Sequence, residues 1–275
     1  MDQAFAGRGD QPLLVPFITA GDPGLEQTVK VMHALVAGGA GMIELGMPFS
    51  DPMADGPVIQ AASERALARG ANLEYVLDCV REFRSSDTQT PVILMGYLNP
   101  LERMGHEAFT HAAAEAGVDG LLIVDLPPEE APAVTSHSGP LGLKQIFLVA
   151  PTTADERLSR IAASADGFIY YVSLKGITGA GNLDVGQVAD QVGRIRGVSS
   201  LPVAVGFGVK QAEDVAALGA VADAVVVGSA LVEYLHLAGA DGAEEAAKTF
   251  VANLKPATIV ADPGPVTEVT AGDPS

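Results

Sequence analysis

Cysteine is nearly missing from this chain of 275 residues: Cys79, in the segment ANLEYVLDCVREF, is the single one. One thiol excludes an internal disulfide, and its helical setting marks it as a buried structural group instead of a nucleophile; a reducing cytoplasm is the expected location. Positive charge is scarce too. The chain has 16 Lys and Arg against 34 Asp and Glu, a formal net charge of -18. Nucleic-acid binding needs a basic footprint, so that class of function is disfavoured. The acidity is read as serving solubility. It also means that an anionic ligand has to be held locally, by backbone N–H groups and helix N-termini. Long apolar runs are absent: nothing approaches the roughly 18–20 residues of a membrane span. The N-terminal MDQAFAGRGDQ lacks a basic start followed by an apolar run, so no secretory leader is expected.

What the chain does contain is short apolar runs, in a composition that is 48% hydrophobic. They are Leu13–Thr19, Gly41–Leu45, Val92–Tyr97, Gly120–Asp125, Gln145–Ala150, Phe168–Ser173, Pro202–Phe207 and Asp223–Gly228. None alternates polar with apolar, so both faces of each strand should be buried, as in a parallel sheet covered by helices. Helical periodicity fills the intervals: Leu25–Ala37, Ile59–Ala68, Leu73–Phe83, Glu107–Ala116, Pro128–Val134, Ala154–Ala163, Val185–Arg196 and Ala212–Leu218, then Ala230–Leu237 and Ala243–Leu254. Asp22-Pro23 reads as a capping acid and a first-turn proline for the first of these. Eight strands alternating with helices predict a single α/β domain, a (β/α)₈ TIM barrel of parallel strands, over residues 13–255. An open doubly wound sheet is the alternative. Residues 1–12 are a short, weakly patterned lead-in, and 256–275, ending DPGPVTEVTAGDPS, are expected to be a disordered acidic tail.

In such barrels the chemistry sits on the loops that follow the strands. After strand two comes ELGMPFSDPMADGP, Glu44 to Pro57, with three carboxylates on a frame of prolines. Glu44, at the end of an apolar strand, is the first candidate. Burial of an unpaired glutamate costs several kcal/mol and raises its pKa, which lets it trade protons near neutral pH. Spacing does not choose between Asp51 and Asp55, since the former fits a turn and the latter a helix cap. Asp125, ending strand four, either faces the pocket or caps the helix after Pro127-Pro128; of the two, the structural role is the one expected. Gly206, Gly208, Gly228 and Ser229, in the loops after strands seven and eight, fit a phosphate site closed by the helix starting near Ala230. GITGAGN, residues 176–182, fits a lid. His33, His106, His111, His137 and His236 have no metal-ligand spacing near a strand end, so no metal site is expected. Ser50 and Ser173 have no histidine partner for nucleophilic catalysis.

PFITAGDPG, ELGMPFSDPMADGP, GITGA, GFGV and VGSALV, in this order, resemble the tryptophan synthase alpha chain family from about Leu13 to Tyr234. The resemblance implies a lyase without a cofactor of its own, which splits indole-3-glycerol phosphate into indole and glyceraldehyde 3-phosphate. By resemblance, Glu44 is the general acid and base and Asp55 is the carboxylate that stabilises charge on the indole N–H. Tyr170 is a pocket tyrosine, and Phe17, Met95, Tyr97 and Leu122 line the slot for the ring. Thr178 reaches Asp55 from the lid, while Gly179, Gly208, Gly228 and Ser229 bind phosphate. The family works with a pyridoxal-phosphate beta chain in an αββα heterotetramer, a partner to which nothing in the composition points. Two features depart from the family: the acidic tail, and a start, MDQAFAGRGDQPLL, that is short and glycine-broken where relatives have a longer helix over the barrel floor. A lysine ending an early strand, expected of indole-3-glycerol phosphate synthase, is missing. Intact Glu44 and Asp55 speak against a purely regulatory phosphate-binding subunit.

Overall fold

The computed structural model describes residues 1–172, 184–206 and 208–255. Among them, strands β1 (Leu13–Thr19), β2 (Ile43–Gly46), β3 (Val92–Gly96), β4 (Gly120–Ile123), β5 (Lys144–Val149), β6 (Ile169–Val172), β7 (Val203–Gly206) and β8 (Ala224–Val227) pair in sequence order. All ladders are parallel, and β8 returns to β1 with Leu13 opposite Ala224 and Pro16 opposite Val227, so the barrel is closed. That closure removes the open-sheet alternative. Strand β1 has the expected bounds, and the other seven differ from the expected runs by one or two residues at one or both ends.

The unbroken apolar runs follow from burial on two sides. Alternate residues of each strand project into the barrel. Leu13, Val15, Met42, Ile93, Leu122, Ile146, Phe168, Tyr170, Ala204, Ala224 and Val226 form the interior cluster. Their neighbours Leu14, Ile18, Ile43, Leu45, Leu94, Leu121, Val203 and Val225 pack outward on the helices. Glu44 lies between the outward-facing Ile43 and Leu45, and opposite Phe17 in the ladder, so it occupies the inward row.

The first residues do more than lead in. Helix α1 (Asp2–Gly7) sets the Phe5 ring 5.8 Å from that of Phe168, and Met1 and Ala4 pack on the same interior cluster. Six helical residues thus pack on the barrel floor despite the short, glycine-broken sequence. Arg8 fastens them, donating to Asp223 at 2.7 Å; the other carboxylate oxygen of Asp223 accepts from Val203 N at 2.9 Å and from Arg196 at 3.0 Å. Phe5→Ala should therefore lower stability by about 1–2 kcal/mol, less than for a fully buried phenylalanine, and leave turnover intact. Urea unfolding beside a rate assay checks both halves of this expectation.

The helices on the outside are α2 (Thr28–Gly38), α3 (Pro57–Ala68), α4 (Leu73–Arg84), α5 (Leu98–Met104), α6 (His106–Ala116), α7 (Pro132–Ser138), α8 (Asp155–Ser164), α9 (Val185–Arg196), α10 (Ala212–Gly219) and α11 (Ser229–Leu254). Helix α5 was not expected, since LNPLERM contains Pro100. A proline in the first turn removes an N–H that has no intrahelical partner anyway, so the helix tolerates it. Gly239, at φ 69° and ψ 178°, divides α11 into the two segments expected.

Asp22 is not a cap. Its carboxylate is buried and takes two bonds from Arg65 of α3, at 2.9 and 2.7 Å, and a third from Arg69 at 3.2 Å. The loop after β1 is thereby tied to the helix that follows the acidic loop. Asp125 is structural as expected, but on a different helix: its carboxylate accepts from Leu98 N at 2.7 Å and so caps α5, while α7 begins after Ala131.

Candidate active site

Glu44 is 3% exposed and reaches a cavity of about 390 Å³ at the C-terminal mouth of the barrel. No cation is paired with it among the described residues. Burial pushes its carboxyl up to about 8, and the negative charge of Asp55 adds to the shift. A group so placed is largely protonated at neutral pH yet able to give up its proton to a bound molecule.

Asp55 lines the same cavity. The loop carrying it is held at several points. Tyr97, just beyond β3, accepts from Ala54 N at 3.0 Å and donates to Asp55 Oδ2 at 3.1 Å. Gln60 donates to the Asp55 carbonyl at 2.8 Å. Burial raises the Asp55 carboxyl and the Tyr97 hydrogen bond pulls it back. The helix-cap reading does not hold, because α3 starts from Gly56, with Pro57 in its first turn and no side-chain cap bond. Asp51 is exposed, accepts from the Ser50 hydroxyl at 2.5 Å, and does not line the cavity.

Phe17, Met95, Ile59, Val226 and Tyr170 supply apolar wall. Tyr170 is 8% exposed; burial, then the charges of Glu44 and Asp55, push its hydroxyl well above the ordinary tyrosine range, so it stays protonated. Its hydroxyl lies 2.5 Å from where a Cβ on Gly206 would sit, so Gly206 serves the approach of this ring. Gly206→Ala should push the ring toward the cavity and lower kcat/KM about tenfold, the scale of a modest overpacking strain. Adding Tyr170→Phe should restore part of the loss, and steady-state rates of the single and double variants decide it.

The same cavity is lined by Gly208, Gly228, Ser229 and Ala230. Gly208 has φ +50°, a left-handed conformation that favours glycine. Helix α11 begins at Ser229 with no side chain capping it, so its first-turn N–H groups are free to meet an anion. Lys210 and Glu233 also line the cavity and were not singled out from the sequence. Lys210 lies two residues past Gly208, and Glu233 is one turn into α11.

Tyr97 lines a small adjoining pocket with Asp55, not the main cavity. Leu122 lines neither: it is 1% exposed in the packed interior cluster against which Met95 rests. Thr178 and Gly179, with the expected lid at 176–182, lie outside the described residues, as do Ser173 and the tail at 256–275. No cluster of potential metal ligands occurs among the described residues. No described helix is long and apolar enough to cross a membrane. Lys144, the first lysine after Lys30, starts β5 and is paired with Asp166 at 3.1 Å, so no lysine ends an early strand.

The family model described as "Tryptophan synthase alpha chain" matches residues 5–259. The tryptophan synthase alpha chain of Burkholderia cenocepacia is 54% identical over 259 residues, covering 94% of this chain and 96% of its own. The crystal structure of tryptophan synthase subunit alpha from Legionella pneumophila aligns with a TM-score of 0.85 at 44% identity, over 92% of this chain and 95% of that one. A structure of the tryptophan synthase a2b2 complex from Pyrococcus furiosus contains a chain that aligns at 0.80 with 41% identity, over 88% of this chain and 97% of that one. With a family match spanning the whole barrel and relatives of this identity along almost their whole length, the chain belongs to the tryptophan synthase alpha chain family.

Proposed function

We propose that this chain, a lyase of tryptophan biosynthesis by its family, cleaves indole-3-glycerol phosphate to indole and glyceraldehyde 3-phosphate with Glu44 and Asp55 as its catalytic pair. The observation that carries the assignment is a buried carboxyl, pushed up to about 8, in a cavity also lined by glycine turns and a helix N-terminus. The bond to be broken joins C3 of the indole ring to the carbon bearing a hydroxyl. It breaks readily only once the ring can accept the electron pair. Protonated Glu44 gives its proton to C3, which places positive charge on N1. The Asp55 carboxylate faces that charge from a fixed position, so little reorganisation is needed as it develops. Glu44, now a carboxylate, takes the proton of the substrate hydroxyl. The aldehyde forms, the carbon–carbon pair returns to the ring as neutral indole, and Glu44 ends protonated as it began.

The rest of the cavity supplies orientation. Phe17, Met95 and Tyr170 enclose the ring, with Tyr97 acting through Asp55 and Leu122 supporting the floor beneath Met95. Gly208, Gly228 and Ser229 hold the phosphate, and Lys210 adds the positive charge that this acidic chain otherwise lacks there. Thr178 and Gly179 are proposed to complete the site from the segment between β6 and α9.

Partnership with a tryptophan synthase beta chain follows from the family, whose Pyrococcus furiosus member is seen in an a2b2 complex. The proposal for this chain is an αββα assembly in the cytoplasm, with the pyridoxal phosphate on the beta chain. The test is release of indole from indole-3-glycerol phosphate by the purified chain, alone and with a beta chain. Turnover in both, faster in the second, is expected; no indole under either condition would overturn the proposal.

A further inference from the structure

Behind Asp55 lies a second, much smaller pocket that the catalytic scheme leaves without a purpose. Phe17, Asp55, Ile59 and Met95 are shared between its wall and that of the substrate cavity; Thr19, Ser63 and Tyr97 are the hydroxyl-bearing residues among the others that line it. Thr19 ends β1 in the inward row, two residues past Phe17. It is 2% exposed, and its hydroxyl has no hydrogen-bond partner among the described residues. Ser63, on α3, is 5% exposed. One oxygen of Asp55 accepts from Tyr97, and the other is left without a bond among the described residues. Buried hydroxyls without partners are costly, and native proteins commonly satisfy such groups with an ordered water. The pocket measures about 10 Å³, close to the roughly 10–15 Å³ that one water requires, and the two hydroxyls and the carboxylate give that water its two to four polar partners.

We propose that Thr19 and Ser63 are positioning residues, whose hydroxyls hold one water behind the Asp55 carboxylate and so keep it turned toward the indole N–H. The inference rests on the assignment of Asp55 made above. Neither residue touches substrate. Their effect runs through the direction of the carboxylate, with Tyr97 fixing one oxygen and the water fixing the other. Two anchors on a carboxylate restrict its rotation where one does not, which is what electrostatic stabilisation of a charge at a single ring atom demands.

The test is a double-mutant cycle read by steady-state indole formation. Thr19→Val keeps the side-chain shape and removes the hydroxyl; it should lower kcat about tenfold, the scale of one lost hydrogen bond to a charged group, with KM nearly unchanged. Thr19→Ser should keep most of the rate. Ser63→Ala, which stands in if Thr19→Val does not fold, should lower kcat in the same way. In an Asp55→Asn background, Thr19→Val should cost almost nothing more, because the carboxylate it positions is already gone. A crystal structure at high resolution should show a water bonded to Thr19 Oγ1 and Asp55. An equal loss in both backgrounds, or wild-type kcat in Thr19→Val, would overturn the inference while leaving Asp55 in place. Near-normal kcat in Asp55→Asn alone would instead remove the assignment of Asp55 itself.

Discussion

Glu44→Gln is expected to lower indole formation by about 10³-fold or more, since it removes both the proton for C3 and the base for the hydroxyl, each of which is typically worth 10²–10⁴. Binding of a non-cleavable indole phosphate should stay within a few-fold, because glutamine fills the same volume and the phosphate end is untouched. Near-normal turnover would refute the role. The same variant should be changed in stability, in a direction fixed by the carboxyl's ionisation. Folding raises the Glu44 pKa from 4.5 to about 8. The folded chain therefore binds more protons than the unfolded one between those values, and the stability contributed by the protonated group falls as pH rises through that window. Glutamine has no such penalty. At pH 8 to 9 the variant should be the more stable protein, by on the order of 1–4 kcal/mol, and should lose this advantage below about pH 5. Urea unfolding across the pH range measures it, and equal stability at high pH would show that Glu44 is hydrated or paired.

Asp55→Asn should slow cleavage by about 10²–10³-fold, the usual cost of removing one preorganised electrostatic group. The effect should fall on kcat more than on KM, as the positive charge on N1 exists only once C3 is protonated. A second consequence ties the two carboxylates together. Asp55 helps to hold the Glu44 pKa high. Without its charge Glu44 should ionise at lower pH, so the alkaline fall in kcat, set by loss of the Glu44 proton, should move toward neutrality. An unchanged rate would return Asp51 to candidacy, despite its exposed position at the loop surface.

How much of this was legible beforehand depended on the range of the interactions involved. The barrel was readable because each strand is buried on both faces and reports that fact locally, as in LLVPFIT and AVVV. Glu44 was readable because a lone acid at the end of such a strand has few structural uses. The choice between Asp51 and Asp55 was not readable from spacing. What separates the two is tertiary: the hydroxyl of Tyr97, just beyond β3, and the amide of Gln60, on α3, hold the loop at Asp55, which lines the cavity. The family resemblance names Asp55, which lines the cavity, where Asp51 does not. Helix α1 misled for a related cause: six residues broken by glycine carry little periodicity, yet Phe5 needs only the ring of Phe168 to find its place. Lys210 and Glu233 entered the cavity through the placement of two loops and a helix, none of which a linear pattern records.

Cleavage by this route needs a proton that stays on Glu44 in the free protein at neutral pH, ready for the indole ring. Carbon-13 NMR of glutamate carboxyls, with the Glu44→Gln spectrum subtracted to identify the resonance, follows that proton directly. A carboxyl titrating near pH 8, and lower in Asp55→Asn, is the result predicted. A Glu44 signal that titrates between about 4 and 5, as an exposed glutamate does, would contradict it.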